Sequence, residues 1–137
     1  MTELHQVAPD LEEIGRLNAR VTTHWLELAL PPEHELPVTL ALEEILSNVI
    51  RHSGATDISV RFTFEAGAFE FTVADNGPAY NPLAFPPLDP TAPLDARRPG
   101  GMGVHIVRHL ADELRYEYLT DRNTLLFRKQ WFAPSGA

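Results

Sequence analysis

In two runs between Ile58 and Val73 apolar side chains fall on every second position, and this pattern narrows the possible folds more than any other in the chain. In "DISVRFTF" they are Ile58, Val60, Phe62 and Phe64. In "AFEFTVAD" they are Phe69, Phe71 and Val73. A period of two belongs to a strand with one buried face. The two runs predict antiparallel strands joined around Glu65-Ala66-Gly67. A sheet with one apolar face needs a second layer to cover it, and earlier residues supply one. Leu11, Ile14, Leu17, Val21, Trp25 and Leu28 step by three and four, which predicts a helix of roughly five turns. Asp10 is its expected N-cap and Pro31-Pro32 its stop. A second helix is expected from near Pro37 to Arg51, ended by Ser53-Gly54.

Other segments follow the same two periods. "ELHQVA", residues 3–8, reads as a short edge strand. Helical spacing returns after "GGMG" at Val104, Val107, Leu110, Ala111 and Leu114. "RYEYLT" and "TLLFRKQW" predict a hairpin around Asp121-Arg122-Asn123. Residues 78–99 hold seven of the twelve prolines and no helical period, as in a lid, a binding loop or a disordered segment. Paired strands and separate helical blocks predict an α+β fold. It would be a two-layer α/β sandwich, with helices on one face of a mixed, mostly antiparallel sheet. The 137 residues suit a single domain, 1–137.

Composition limits the partners. A net charge of −8 disfavours general binding to nucleic acid or an anionic membrane, which need a basic surface. There are no cysteines, so disulfides and thiolate metal sites are excluded, and a reducing cytoplasm is compatible. No long apolar span or leader-like segment is present, so membrane insertion is not expected.

Three clusters carry residues suited to chemistry. Glu44 and Asn48 stand one turn apart beside the apolar stripe of the second helix. A carboxamide oxygen suits Mg²⁺, and a neighbouring carboxylate can take a proton from a hydroxyl. The same pair also fits a solvent-facing helix edge. "VADNGPAYNP" places Asp75 at the end of a buried strand, where a carboxylate can accept a hydrogen bond from an exocyclic amino group. Adenine offers that donor, whereas guanine presents an acceptor there. Gly77 would let backbone pass close to a flat base. A plain Asp-Asn-Gly turn is the other reading. "RPGGMGVHIV" runs glycines into a helix start, which can hold an anion on backbone N–H groups or serve as a hinge. His105 and His109 have metal spacing on a helix but no evident carboxylate partner, and fit a packing pair.

Taken in this order, the clusters resemble the ATP-binding domain family shared by sensor histidine kinases, gyrase, heat-shock chaperones and mismatch-repair ATPases. "EILSN" is similar to its N box, "DNG" and "GGMG" to its two glycine boxes, and the segment between them to its ATP lid. Within that family the chain most resembles bacterial anti-sigma-factor serine kinases, through "ARV" at Ala19-Arg20-Val21, Glu44-x-x-x-Asn48 followed by His52, "DNGPAYNP" and "GGMGVHIVRHLADE". The resemblance implies ATP and Mg²⁺ as cofactors, with Asn48 on the metal and Glu44 as catalytic base. It places Asp75 on the adenine amino group, Gly77 beneath the ring, and Gly101 and Gly103 at the phosphates. Thr124 matches the family's threonine near adenine, although Asn123 stands where a glycine normally precedes it. Ala79 or Tyr80 occupies the place of a second glycine in the first box. Arg97 and Arg98 are lid cations that can clamp phosphate or simply be solvated.

The implied function is a cytoplasmic, homodimeric protein serine kinase and anti-sigma factor. Its partners would be a STAS-domain anti-anti-sigma factor, a sigma factor, or both. Arg16 and Arg20 share one face of the first helix, and the resemblance puts Arg20 against those partners. The alternatives are a detached histidine-kinase catalytic domain and a non-catalytic ATP-binding module. The former normally follows a dimerising helical hairpin, for which residues 1–10 are too short.

Overall fold

A computed structural model describes residues 1–84 and 101–132. The elements run β1 (Thr2–Val7), α1 (Glu12–Glu27), α2 (Glu35–His52), β2 (Ile58–Glu65), β3 (Ala68–Asp75), α3 (Gly101–Leu110), β4 (Glu113–Leu119) and β5 (Arg122–Gln130). Two short 3₁₀ turns, Pro32–His34 and Pro82–Ala84, precede α2 and follow β3. Most of the expected lid, including Arg97 and Arg98, lies outside the described residues.

The strands form one sheet in the order β1-β2-β3-β5-β4. All four pairings are antiparallel, so the expected α+β class holds without the parallel component of a mixed sheet. β1 is the edge strand read from "ELHQVA". The alternation in β2 and β3 is obeyed residue by residue: Ile58, Val60, Phe62 and Phe64 are buried, as are Phe69, Phe71 and Val73. Phe62, Phe71 and Phe127 lie side by side across three strands, with Phe71 and Phe127 stacked at 4.9 Å. The opposite face is polar, and Arg128 there bridges Glu65 and Glu70, each at 3.1 Å.

The helices cover the aromatic face. α1 buries Ile14, Leu17, Val21, His24 and Trp25. Leu11 and Leu28, expected on the same stripe, are exposed at its ends. The N-cap position is Leu11, one residue later than expected, and Asp10 just before it accepts the Glu12 N–H on its Oδ1 at 2.9 Å. Trp25 sits edge-on to Phe69 and Trp131, and its indole N–H donates to Pro31 O at 2.7 Å. α2 buries Val38, Ala41, Leu42, Ile45 and Leu46 and stops at Gly54, whose φ of +68° suits a residue without Cβ.

Two boundaries differ from expectation. α3 ends at Leu110, and Leu114 belongs to β4, opposite Phe127. The last hairpin turns at Thr120 and Asp121, both at positive φ (54° and 59°), so Leu119 pairs with Arg122. Asn123 is therefore already inside β5.

Arg16 and Arg20 are engaged within the chain. Arg16 donates to Glu13 at 2.9 Å and to Gln6 O at 3.1 Å. Arg20 grips Glu3 of β1 through Nε and Nη2, both at 3.0 Å, while His5 and His24 also bond to Glu3. The Arg20 bonds hold the Glu3 carboxyl down at about 2, from an ordinary 4.5, against the opposing effect of burial. A lowered folded-state value means stability that is present above pH 4.5 and lost as pH falls toward 2. Urea unfolding of the parent is expected to show that loss over this window. Glu3→Gln is expected to start less stable at pH 7 and to lack that component of the acid dependence. Identical pH profiles for the two proteins would contradict the role of Glu3 as the β1–α1 clasp.

Candidate functional site

A cavity of about 1000 Å³ opens between α2, α3, the ends of β3 and β5, and residues 78–83. That is the upper end of the range for small-molecule sites. Its apolar floor includes Ile45, Val73, Val107 and Leu125, and its polar groups come from four elements.

Glu44 and Asn48 line one wall from α2 and are both half-buried. Glu43 is exposed and does not line the cavity, which separates the two neighbouring glutamates. α3 begins at Gly101, where the first turn leaves backbone N–H groups without helical partners. Gly103 lines the cavity and lies so close to Glu44 that an added Cβ would overlap the carboxylate. Glu44 thus stands at the N-terminal end of α3, where a helix dipole favours negative charge.

The other polar end is built where β3 and β5 leave the aromatic region. Asp75 closes β3 and is 4% exposed. Its Oδ1 accepts the Gly77 N–H at 2.8 Å and Asn123 Nδ2–H at 3.1 Å. Gly77 has no positive φ. Its need for glycine is proximity, because a Cβ there would come within 2.9 Å of Ser53 O and 3.0 Å of Asp75 Oδ1. Ser53 follows the last residue of α2, so Asp75 and Gly77 sit by the C-terminal end of that helix. Glu44 and Ser53 are nine positions apart, roughly 13 Å along the axis. The site is elongated, with a carboxylate and carboxamide at one end and a buried carboxylate at the other.

Thr124 is not brought to the cavity. It pairs with Ala74 on the polar face of the sheet, because strand alternation sends it opposite Asn123 and Leu125. Asn123 lines the cavity in its stead, 6% exposed. The signal was in the sequence: Leu125 and Phe127 fix the inward parity of β5, and that parity includes Asn123. Gly77 touches Asp75 but is not itself in the lining. Arg51 and His52, beyond Asn48 on α2, also face the cavity, and Arg51 is the only arginine or lysine among its described lining residues. Tyr116 of β4 reaches it too. Among the described residues no group of three or more histidines, aspartates or glutamates could hold a metal, so His105 and His109 form no such centre.

The comparisons with known proteins concern the family and the fold. Residues 7–129 match the family described as "Histidine kinase-like ATPase domain". The serine/threonine-protein kinase BtrW of Bordetella bronchiseptica is 33% identical over 88 residues, covering 58% of this chain and 59% of BtrW. The chain thus spans about three fifths of that curated relative. The crystal structure of the RsbU and RsbW domains of Rv1364c from Mycobacterium tuberculosis superposes with a TM-score of 0.69 at 15% identity. It covers 98% of this chain and 34% of the mycobacterial one, a likeness of fold.

The two glycines differ in what a side chain would strike. Gly77→Ala would drive a Cβ against backbone and is expected to cost about 1–3 kcal/mol of stability. Gly103→Ala would meet the far end of a flexible side chain. It is expected to swing the Glu44 carboxylate aside while stability stays within about 1 kcal/mol of the parent. Urea unfolding of both variants separates them, and an equal cost would contradict the packing described.

Proposed function

The chain belongs to the histidine kinase-like ATPase domain family, and on that footing we propose that it is an ATP-dependent protein serine kinase acting as an anti-sigma factor, with a STAS-domain antagonist as its phosphoryl acceptor. The carrying observation is that Glu44, Asn48, Asp75 and Gly103, spread over sixty positions of sequence, line one elongated cavity. The kinase name of the Bordetella relative supports the same reading. Partner, homodimeric state and cytoplasmic setting rest on the family resemblance of the sequence.

In this reading the adenine lies at Asp75 and the triphosphate extends along α2 toward Glu44 and the start of α3. None of the hydrogen bonds of Asp75 among the described residues uses Oδ2. That oxygen is left to accept from the adenine amino group, and the guanine oxygen would meet it as a second acceptor. The α3 N-terminus and Arg51 supply positive potential for phosphates in a protein of net charge −8. The amide oxygen of Asn48 is a hard donor on the cavity wall, suited to an ion that completes its shell with water and phosphate oxygens. Mg²⁺ held there would neutralise charge on the phosphates.

Glu44 would act on the acceptor. Its carboxylate takes the proton of the serine hydroxyl as the serine oxygen bonds to the γ-phosphorus. The bond from that phosphorus to the β–γ bridging oxygen breaks, and ADP leaves with the electron pair. Glu43, exposed outside the cavity, has no part in this step.

The test is incubation with labelled ATP, Mg²⁺ and STAS-domain proteins encoded nearby. Glu44→Gln is expected to lower phosphoryl transfer by roughly 10²–10⁴-fold with ATP affinity little changed, and Glu43→Gln to leave transfer near the parent rate. ATP binding without transfer to any serine would leave a nucleotide-binding module and contradict the kinase.

A further inference from the structure

We infer that Asn123 is the positioning residue for base recognition: it holds Asp75 and the loop after it in the arrangement that selects an amino-bearing purine. The inference rests on the adenine reading above and goes beyond it, because it assigns discrimination to a residue that has no free polar group for a ligand.

Asn123 is buried and its side chain is saturated. Nδ2 faces three acceptors, Asp75 Oδ1 at 3.1 Å, Gly77 O at 3.1 Å and Pro78 O at 3.0 Å. Oδ1 accepts the Tyr80 N–H at 2.9 Å and the Tyr116 hydroxyl. These neighbours fix the amide orientation, since the flipped form would set an oxygen against three oxygens. One carboxamide therefore joins the end of β3, the backbone of residues 77–80 and β4. Asn123 cannot donate to a base without abandoning one of these bonds. It acts instead through Asp75, occupying Oδ1 together with the Gly77 N–H, while no bond of Asp75 among the described residues uses Oδ2.

The measurement is the ratio of ATP to ITP affinity by calorimetry with Mg²⁺. The two differ at the purine 6-position, where ITP carries an oxygen in place of the amino group. The parent is expected to favour ATP by at least about tenfold, the scale of one charge-assisted hydrogen bond. Asn123→Ala is expected to bring the ratio to within about threefold of unity, because Asp75 then loses its fixed rotamer. Tyr116→Phe removes the hydroxyl that donates to Asn123 and accepts the Tyr80 N–H at 3.2 Å, and is expected to lower the ratio about two- to fivefold. It decides the matter if Asn123→Ala does not fold. A defect that is merely structural would weaken ATP and ITP by the same factor. An unchanged ratio in the folded variants overturns the inference while the adenine site stands. Equal ATP and ITP affinity in the parent overturns the adenine reading itself, and this inference with it.

Discussion

Burial of Phe62, Phe64, Phe69, Phe71 and Phe127 on one face of the sheet obliges every helix to lie on that face. The register then grades the size of what is buried. One cross-strand row is Phe62, Phe71 and Phe127, the next is Val60, Val73 and Leu125, and the next is Ile58, Asp75 and Asn123. Rings fill the space under the helices at one end, and smaller aliphatic and polar groups leave it open at the other. The cavity lies where this gradient ends, with α2 and α3 as its walls. Asp75 and Asn123 can be buried there because they share a hydrogen bond and Gly77, Pro78, Tyr80 and Tyr116 supply further partners; a buried polar group left unpaired costs roughly 1–3 kcal/mol.

The functional groups are carried by rigid parts. Glu44 and Asn48 are on a helix held through Ile45 and Leu46, and Asp75 and Asn123 are on paired central strands. The loop from Gly77 to Tyr80 is tied to Asn123 by three bonds, and Arg108 of α3 donates to Leu83 O farther on. Arg20, which the resemblance assigns to partner contact, is shared with Glu3. A partner that uses Arg20 must either compete with that carboxylate or read the pair as a unit. Arg20 stays half exposed within the pair, so the second route is open to it.

Much of this was legible because period-two and period-3.6 patterns record burial directly. β2, β3, the edge strand β1 and the cores of α1 and α2 follow from apolar spacing alone. The difference between Glu43 and Glu44 was readable from the four-residue offset to Asn48. The last hairpin was harder. Its tight turn uses Thr120 and Asp121 at positive φ, without glycine or asparagine to announce it, and so lies one to two residues before the position the sequence suggests. Asn123 therefore stands inside β5 with the inward parity of Leu125 and Phe127, whereas Thr124 is named by the resemblance alone. The end of α3 is masked in the sequence because Leu114 extends a helical spacing, yet it pairs with Phe127 from β4. The Arg16–Glu13 pair is an i,i+3 contact within α1, but the bonds of Arg20 to Glu3 and of Arg16 to Gln6 were invisible because only the docking of β1 on β2 brings those residues to α1.

The central claim is that the cavity between α2, α3 and the ends of β3 and β5 receives an adenine nucleotide lengthwise. Amide chemical-shift mapping during titration with ATP and Mg²⁺ tests it most directly. The expected result is saturable shifts at Asn48, Asp75, Gly77 and Gly103, with the polar sheet face around Arg128 unmoved. Saturable shifts confined to that face or to α1, with the cavity residues silent, would contradict the account.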